Sequence, residues 1–265
     1  MKNLLFLVLW ISISFGAMAQ EIIPESTELY KELQRVVPGK NGSAPSDAII
    51  IFDGSNLDQF QKPPFHYGAG MKEFEQLIPK LKVGPYSTGP ADWKIENGEL
   101  VVVPGARDIS TKELFGDVQL HIEWLAPAAQ GKSGQGYSNS GLFFMGLYEV
   151  QILNSFDNDT YNNGQAGAIY KQYMPMVNAS LAPGTWQMYD IIFSAPKFSQ
   201  SGSVVNPARI TVFHNGVLIQ NNVSLLGPTC YRGQSYYIKH PEVMPILFQD
   251  HGDAVRFRNI WARKL

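Results

Sequence analysis

Beyond residue 82 the chain alternates apolar and polar positions in short runs separated by turn residues. Val118, Leu120, Ile122 and Trp124 alternate with Gln119, His121 and Glu123, and Tyr148, Val150 and Ile152 alternate with Glu149 and Gln151. A period of two predicts strands with one face buried and one turned outward. Trp93–Ile95 and Leu100–Val103 flank Asn97-Gly98, while Arg209–Phe213 and Val217–Gln220 flank Asn215-Gly216. Asn-Gly between two such runs predicts a hairpin with a type I′ turn. Leu142–Gly146, Leu147–Leu153, Asp190–Ser194, Ile246–Phe248 and Ala254–Ala262 add further strands. In the last, Arg256 and Arg258 fall on one face and Val255, Phe257 and Asn259 on the other. Many short strands with regular turn signals predict an all-β sandwich or jelly roll.

Helical spacing is confined to the first third of the chain. Leu29, Leu33 and Val36 predict a short helix over Ser26–Val37 that stops at Pro38-Gly39; Met71, Phe74, Leu77 and Ile78 predict another over Met71–Leu81, broken by Pro79. Both are peripheral to the strands. Lys40–Ser46 reads as a Gly/Ser/Pro linker, Ala48–Phe52 as a strand ending in the turn Asp53-Gly54, and Pro63–Pro90 as a Pro/Gly-rich insertion at one end of the domain.

The first residues read as a targeting signal. Lys2 supplies the charge, Leu4 to Phe15 the apolar stretch, and Ala17-Met18-Ala19 the small-x-small site, predicting cleavage before Gln20. The organisation expected is a signal peptide over 1–19, a helix and linker over 20–46, and one β-sandwich domain over 47–265. The product is expected to be exported, to the periplasm or the extracellular space, with no membrane span. Cys230 is the only cysteine, so no internal disulfide is available and stability rests on the core. The formal net charge of -2 and the lack of a basic run argue against a nucleic-acid partner.

The polar faces supply the candidate chemistry. Gln119, His121 and Glu123 come from one strand, Glu149 and Gln151 from a second, Arg256 and Arg258 from a third, and Gln249-Asp250-His251-Gly252-Asp253 forms the turn before it. On a curved sandwich these groups are expected to converge in one hollow. No G-x-S-x-G element is present, which removes the usual serine esterase, and no Gly-rich loop precedes a helix to cradle phosphate. No cofactor is expected; a divalent metal held by His121, Glu123 and His251 is the alternative. Trp93, Trp124, Trp186 and Trp261 suit core or rim positions better than sugar platforms.

An ordered set of motifs spans Ala48 to Leu265. It begins with Phe52-Asp53-Gly54-x-x-Leu57, Trp93-x-x-x-Asn97-Gly98-x-Leu100, Thr111-Lys112, Phe115-Gly116-Asp117 and Asn139-Ser140-Gly141. It continues with Tyr148-Glu149-Val150-Gln151, Gly164-x-Ala166-Gly167-Ala168-x-Tyr170, Gly184-x-Trp186, Asn215-Gly216, Gln249-Asp250-His251 and Arg256-Phe257-Arg258-Asn259-Ile260. In this order the motifs resemble the 3-keto-disaccharide hydrolase domain family. The resemblance implies a concanavalin A-like β-sandwich and cleavage of glycosides whose sugar has been oxidised at C3; members are commonly exported by bacteria. Asn154 departs from the pattern, because the family usually has aspartate after the Tyr-Glu-Val-Gln segment.

A ketone at C3 acidifies the C2 proton, so the bond at C1 can break by β-elimination and water can then add to the enone. That chemistry needs a base at C2, a donor or cation at the C3 oxygen, and an acid for the leaving group. Glu149 is the candidate base, with His251 the alternative base or the acid. Lys112, Arg256 or Arg258 would stabilise the enolate, unless the arginines only pair with Asp250, Asp253 or Glu123. Gln151 and Asn139 would position sugar hydroxyls, with Glu123, His121, Gln249 and Asp250 as further substrate contacts. The expected partner is a carbohydrate. The rival reading is a carbohydrate-binding module that holds glycan without consuming it.

Overall fold

A computed structural model of the chain describes residues 28, 29, 31–64, 71–83, 86–128 and 131–265, with residues 80–83 described by backbone alone. The expected signal segment and its cleavage site lie outside the described residues. The helix expected over Ser26–Val37 does not form: residues 28, 29 and 31–37 are non-helical, and Leu29 and Leu33 are 88% and 85% exposed. A helix this short is marginal in water unless its apolar stripe is buried.

The strands follow in chain order: β1 (Ile49–Phe52), β2 (Phe60–Lys62), β3 (Gly89–Pro90), β4 (Lys94–Glu96), β5 (Glu99–Val101), β6 (Ile109–Phe115), β7 (Val118–Leu125) and β8 (Ser140–Phe144). They continue with β9 (Tyr148–Ile152), β10 (Trp186–Ser194), β11 (Lys197–Phe198), β12 (Val204–Asn206), β13 (Arg209–His214), β14 (Val217–Ser224), β15 (Met244–Phe248) and β16 (Arg256–Lys264). An eight-stranded sheet runs β14-β13-β10-β7-β16-β5-β4 with β1 beside β16; a six-stranded sheet runs β3-β2-β6-β15-β8-β9. Both expected Asn-Gly hairpins form, with Asn97, Gly98, Asn215 and Gly216 all at positive φ as type I′ requires.

The inner faces of the two sheets interlock. Phe144 of the six-stranded sheet stacks on Phe193 of the eight-stranded one with centroids 4.8 Å apart, and Phe248 meets Phe257 edge-on at 5.6 Å. The Tyr189 hydroxyl, carried into the core, donates to the Gln151 carbonyl at 2.9 Å, so this buried phenol is not left unpaired. The expected alternation therefore holds on β7 and β9: Leu120, Ile122, Tyr148, Val150 and Ile152 are all core.

Three local expectations change. The helix α1 spans Met71–Val83 and runs through Pro79. Proline in a helix interior costs about 3 kcal/mol, and burial of Met71, Phe74 and Ile78 offsets it. The 40–46 linker is pinned: the Gly42 carbonyl accepts from Trp261 Nε1 at 2.8 Å and Asn259 Nδ2 at 3.0 Å, and Asp47 holds Arg263 through paired contacts of 2.7–2.9 Å. On β16, Asn259 takes φ 46° and the register with β7 slips between Arg258 and Trp261. This bulge turns Asn259 outward beside Arg258 and returns Ile260 to the core, overriding the strict alternation.

Parity can be checked by substitution. Phe193→Ala removes a fully buried ring and is expected to cost about 3–5 kcal/mol in urea unfolding, whereas Ile192→Ala on the outer face should change stability by less than about 1 kcal/mol.

Candidate active site

With Tyr148, Val150 and Ile152 filling the core, Glu149 and Gln151 project from the outer face of the six-stranded sheet. Register places Ser110, Leu247, Phe143 and Glu149 in one row across β6, β15, β8 and β9. The row extends past the sheet edge. Val150 bridges Ile169, and the Tyr170 N–H donates to the Glu149 carbonyl at 3.3 Å. Tyr170, the turn residue after that bridge, is thereby held beside Glu149, close enough for the two side chains to interact electrostatically.

Glu149 is only 5% exposed. A Cβ at Gly141, on the neighbouring strand, would lie 2.7 Å from Phe143 Cε2, 2.8 Å from Glu149 Oε1 and 3.2 Å from Gln249 Oε1, so glycine here lets those three side chains pack against the strand. Burial, and secondarily the charge of Asp108, push the Glu149 carboxyl up to about 8; no hydrogen bond or cation among the described residues offsets them. A carboxyl so placed exchanges its proton near neutrality and is a strong base when ionised.

Amides surround it. Gln151 Nε2 donates to Gln135 Oε1 at 3.0 Å and lies 3.3 Å from the Gly164 carbonyl, while Gln151 Oε1 has no partner among the described residues. Gln249 Oε1 is likewise unpartnered, as is Ser110 Oγ in the same row. Asn139 Nδ2 donates to the Gln135 carbonyl at 2.8 Å and its backbone N–H to Asp253 at 3.0 Å. Asn139 therefore braces the Gln135 loop. Outside the row, the Tyr161 and Tyr170 hydroxyls are 2.7 Å apart, and Lys171 Nζ lies 3.6 Å from the Tyr161 ring centre and 5.6 Å from that of Tyr231. Burial and the bond to Tyr161, followed by nearby negative charge including Glu149, hold the Tyr170 phenol well above its usual range.

The expected single hollow is not what forms. Glu123, His121, Arg256 and Arg258 lie on the outer face of the eight-stranded sheet, behind the core from Glu149. They are engaged there: Arg258 bonds Glu123 at 2.6 Å and lies over the Trp186 ring at 4.0 Å, and Arg256 bonds Glu99 at 2.6 Å and Glu96 at 3.1 Å. Burial raises the Glu123 carboxyl, but bonds from Asn259 and Arg258 outweigh it and the net shift is downward. His121 stacks on Trp261 at 5.1 Å, its Nδ1 lies 2.7 Å from Asp190, and its Nε2 meets the Asn259 amide at 3.2 Å. With both ring nitrogens engaged, His121 does not form the alternative metal site with Glu123 and His251. A groove of about 580 Å³ bordered by His121, Asp190, Trp261, Arg263 and the 36–45 segment opens on that face, remote from Glu149.

Of the remaining expected residues, Asp250 is used as a clamp: Oδ2 accepts from the Gly105 and Arg107 N–H groups at 2.7 and 3.1 Å, and Oδ1 from Gly252 at 2.9 Å. Its own N–H donates to Asp108 Oδ1 at 3.0 Å, which joins the 104–108 loop to the turn after β15. His251 is exposed in that turn, two residues past Gln249. Lys112 shares the outer face with Glu149 and is exposed, but its strand is three places away, about 14 Å at the usual strand spacing. Asn154 accepts from the Phe156 N–H at 3.2 Å, a local turn contact.

Asp108, Gln135, Tyr161 and Lys171 were not expected. They reach the site through loops and a sheet-edge bridge, which strand periodicity does not encode. Among the described residues no group of three or more His, Cys, Asp or Glu side chains is arranged to hold a metal ion.

No functionally curated protein matches the sequence. Among solved structures, a candidate glycosyl hydrolase from Parabacteroides distasonis is 39% identical with a TM-score of 0.78, covering 92% of this chain and 97% of that one. A second candidate glycosyl hydrolase from the same organism is 16% identical with a TM-score of 0.53, over 83% of this chain and 94% of the other, a likeness of fold. The profile of one family matches residues 47–263, which takes in β1 to β15 and all but the last residue of β16: the chain belongs to the 3-keto-alpha-glucoside-1,2-lyase-like domain family.

Proposed function

We propose that the protein is a carbohydrate-processing enzyme that cleaves 3-keto-glycosides by β-elimination across C1 and C2. The observation that carries this reading is Glu149, a desolvated carboxyl with a proton affinity near neutrality on an amide-lined outer wall. Family membership and the likeness to a candidate glycosyl hydrolase support the substrate class. The pattern of Lys2, Leu4–Phe15 and Ala17-Met18-Ala19 supports export.

In the proposed reaction, Glu149 as carboxylate removes the proton on C2, and the electron pair forms the C2=C3 enolate. Collapse of the enolate restores the C3 carbonyl, forms C1=C2 and expels the C1 oxygen, which takes a proton. Addition of water to the enone gives net hydrolysis. The C3 oxygen needs a donor as charge develops. The Gln249 amide packs over Gly141 beside the Glu149 carboxyl, and a half-turn about its last bond presents Nε2. Lys112 contributes only a long-range field from its distance. Gln151, fixed by Gln135, and Asn139 suit the positioning of hydroxyls. A glycan-binding module gains nothing from a carboxyl held at such a cost in burial, which favours the enzyme.

Glu149→Gln keeps the shape and removes the base; kcat/KM on a 3-keto-disaccharide is expected to fall by about 10²–10⁴-fold, and near-wild-type turnover would remove Glu149 from the role. Wild-type kcat/KM should rise about tenfold per pH unit on the acid side and level off near pH 8, because only the ionised carboxylate accepts the proton. A profile flat between pH 5 and pH 9 contradicts this. Arg256→Ala and Arg258→Ala, on the opposite sheet, should leave kcat/KM near the wild-type value in the same assay.

A further inference from the structure

We propose that Tyr170 is the group that protonates the departing C1 oxygen, with Tyr161 linking it to solvent. This rests on the elimination reading above and adds to it the acid, for which the sequence had offered His251. An elimination across one sugar bond requires a base at the hydrogen of C2 and an acid at the oxygen of C1. An anti elimination would need base and acid on opposite faces of the ring. In a syn elimination both atoms leave from one face, so base and acid stand on the same wall a few ångströms apart.

Glu149 and Tyr170 meet that requirement through the backbone. The bridge between Val150 and Ile169 and the bond from Tyr170 N–H to the Glu149 carbonyl hold the two residues side by side at the sheet edge, near enough for the Glu149 charge to act on the phenol. Tyr170 is partly exposed, and its hydroxyl is 2.7 Å from that of Tyr161, which is 37% exposed and reaches solvent. Lys171, 3.6 Å from the Tyr161 ring centre, holds that ring in place and adds positive charge beside any phenolate that forms. His251 lies exposed in the turn after β15, and among the described residues no contact orients it toward Glu149. Separately, the raised affinity of the Tyr170 phenol for its proton keeps it protonated at neutral pH, as an acid for a basic alkoxide must be.

The step balances. As the C1–O bond breaks, its electron pair stays on the leaving oxygen and takes the Tyr170 proton, giving an alcohol and a phenolate. The proton that Glu149 removed from C2 then passes to Tyr170, directly or through Tyr161, and both groups return to their starting states.

The test compares leaving groups. Wild-type protein, Tyr170→Phe and His251→Ala are assayed on a 3-keto-disaccharide, whose leaving alkoxide needs a proton, and on a 3-keto-4-nitrophenyl glucoside, whose phenolate does not. Tyr170→Phe is expected to lose about 10²-fold or more in kcat/KM on the disaccharide and less than about threefold on the nitrophenyl substrate, with His251→Ala changing neither ratio. Retained nitrophenyl cleavage also shows that the variant is folded. Equal losses on both substrates, no loss on either, or the leaving-group-dependent loss appearing in His251→Ala instead would overturn the assignment while the elimination stands. Failure of the wild-type protein to cleave either keto substrate would overturn both.

Discussion

Two sheets pressed face to face divide each of their strands into side chains turned to the core and side chains turned outward, and the core between them keeps the two outer sets apart. Phe144 on Phe193 and Phe248 on Phe257 close that interface. Everything proposed about chemistry depends on which sheet a polar residue leaves from, since no side chain reaches through the core. The eight-stranded sheet carries ion pairs and the His121–Asp190–Asn259 cluster that pin the 40–47 segment. The six-stranded sheet carries the desolvated carboxyl.

Much of the fold was legible because period-two alternation and Asn-Gly turns are local signals. Strands, hairpins and the core residues of β7 and β9 could be read from spacing alone. Two misreadings have local causes of another kind: α1 continues past Pro79 because buried side chains outweigh a lost backbone bond, and Asn259 flips outward because a left-handed residue inserts a bulge. The linker over 40–46 looked free because its anchors, Trp261, Asn259 and Arg263, lie more than two hundred residues away in the chain.

The site was legible one strand at a time and no further. Glu149 and Gln151 lie on the six-stranded sheet, and Asn139, Gln249 and His251 lie next to its strands β8 and β15, a subset that spacing did not separate from the other polar candidates. Alternation, however, says only that residues share a face within a strand; it cannot say which of two sheets the strand joins. That gap put His121, Glu123, Arg256 and Arg258 into the wrong hollow. Asp108 and Tyr170 illustrate the converse. Asp108 acts through burial beside Glu149, and Tyr170 through a bridge at a sheet edge, and neither relation leaves a periodic trace. Gly141 carried a motif but no explanation until the position of its missing Cβ showed the space that Glu149 and Gln249 use.

Proton removal from C2 is the step on which the account turns, and it has a direct readout. Cleavage of a 3-keto-glycoside carrying deuterium at C2 should show a normal primary isotope effect on kcat/KM, well above unity below pH 8. An isotope effect of unity at every pH, with the C1–O bond still broken and the C2 deuterium retained in the sugar product, would contradict it.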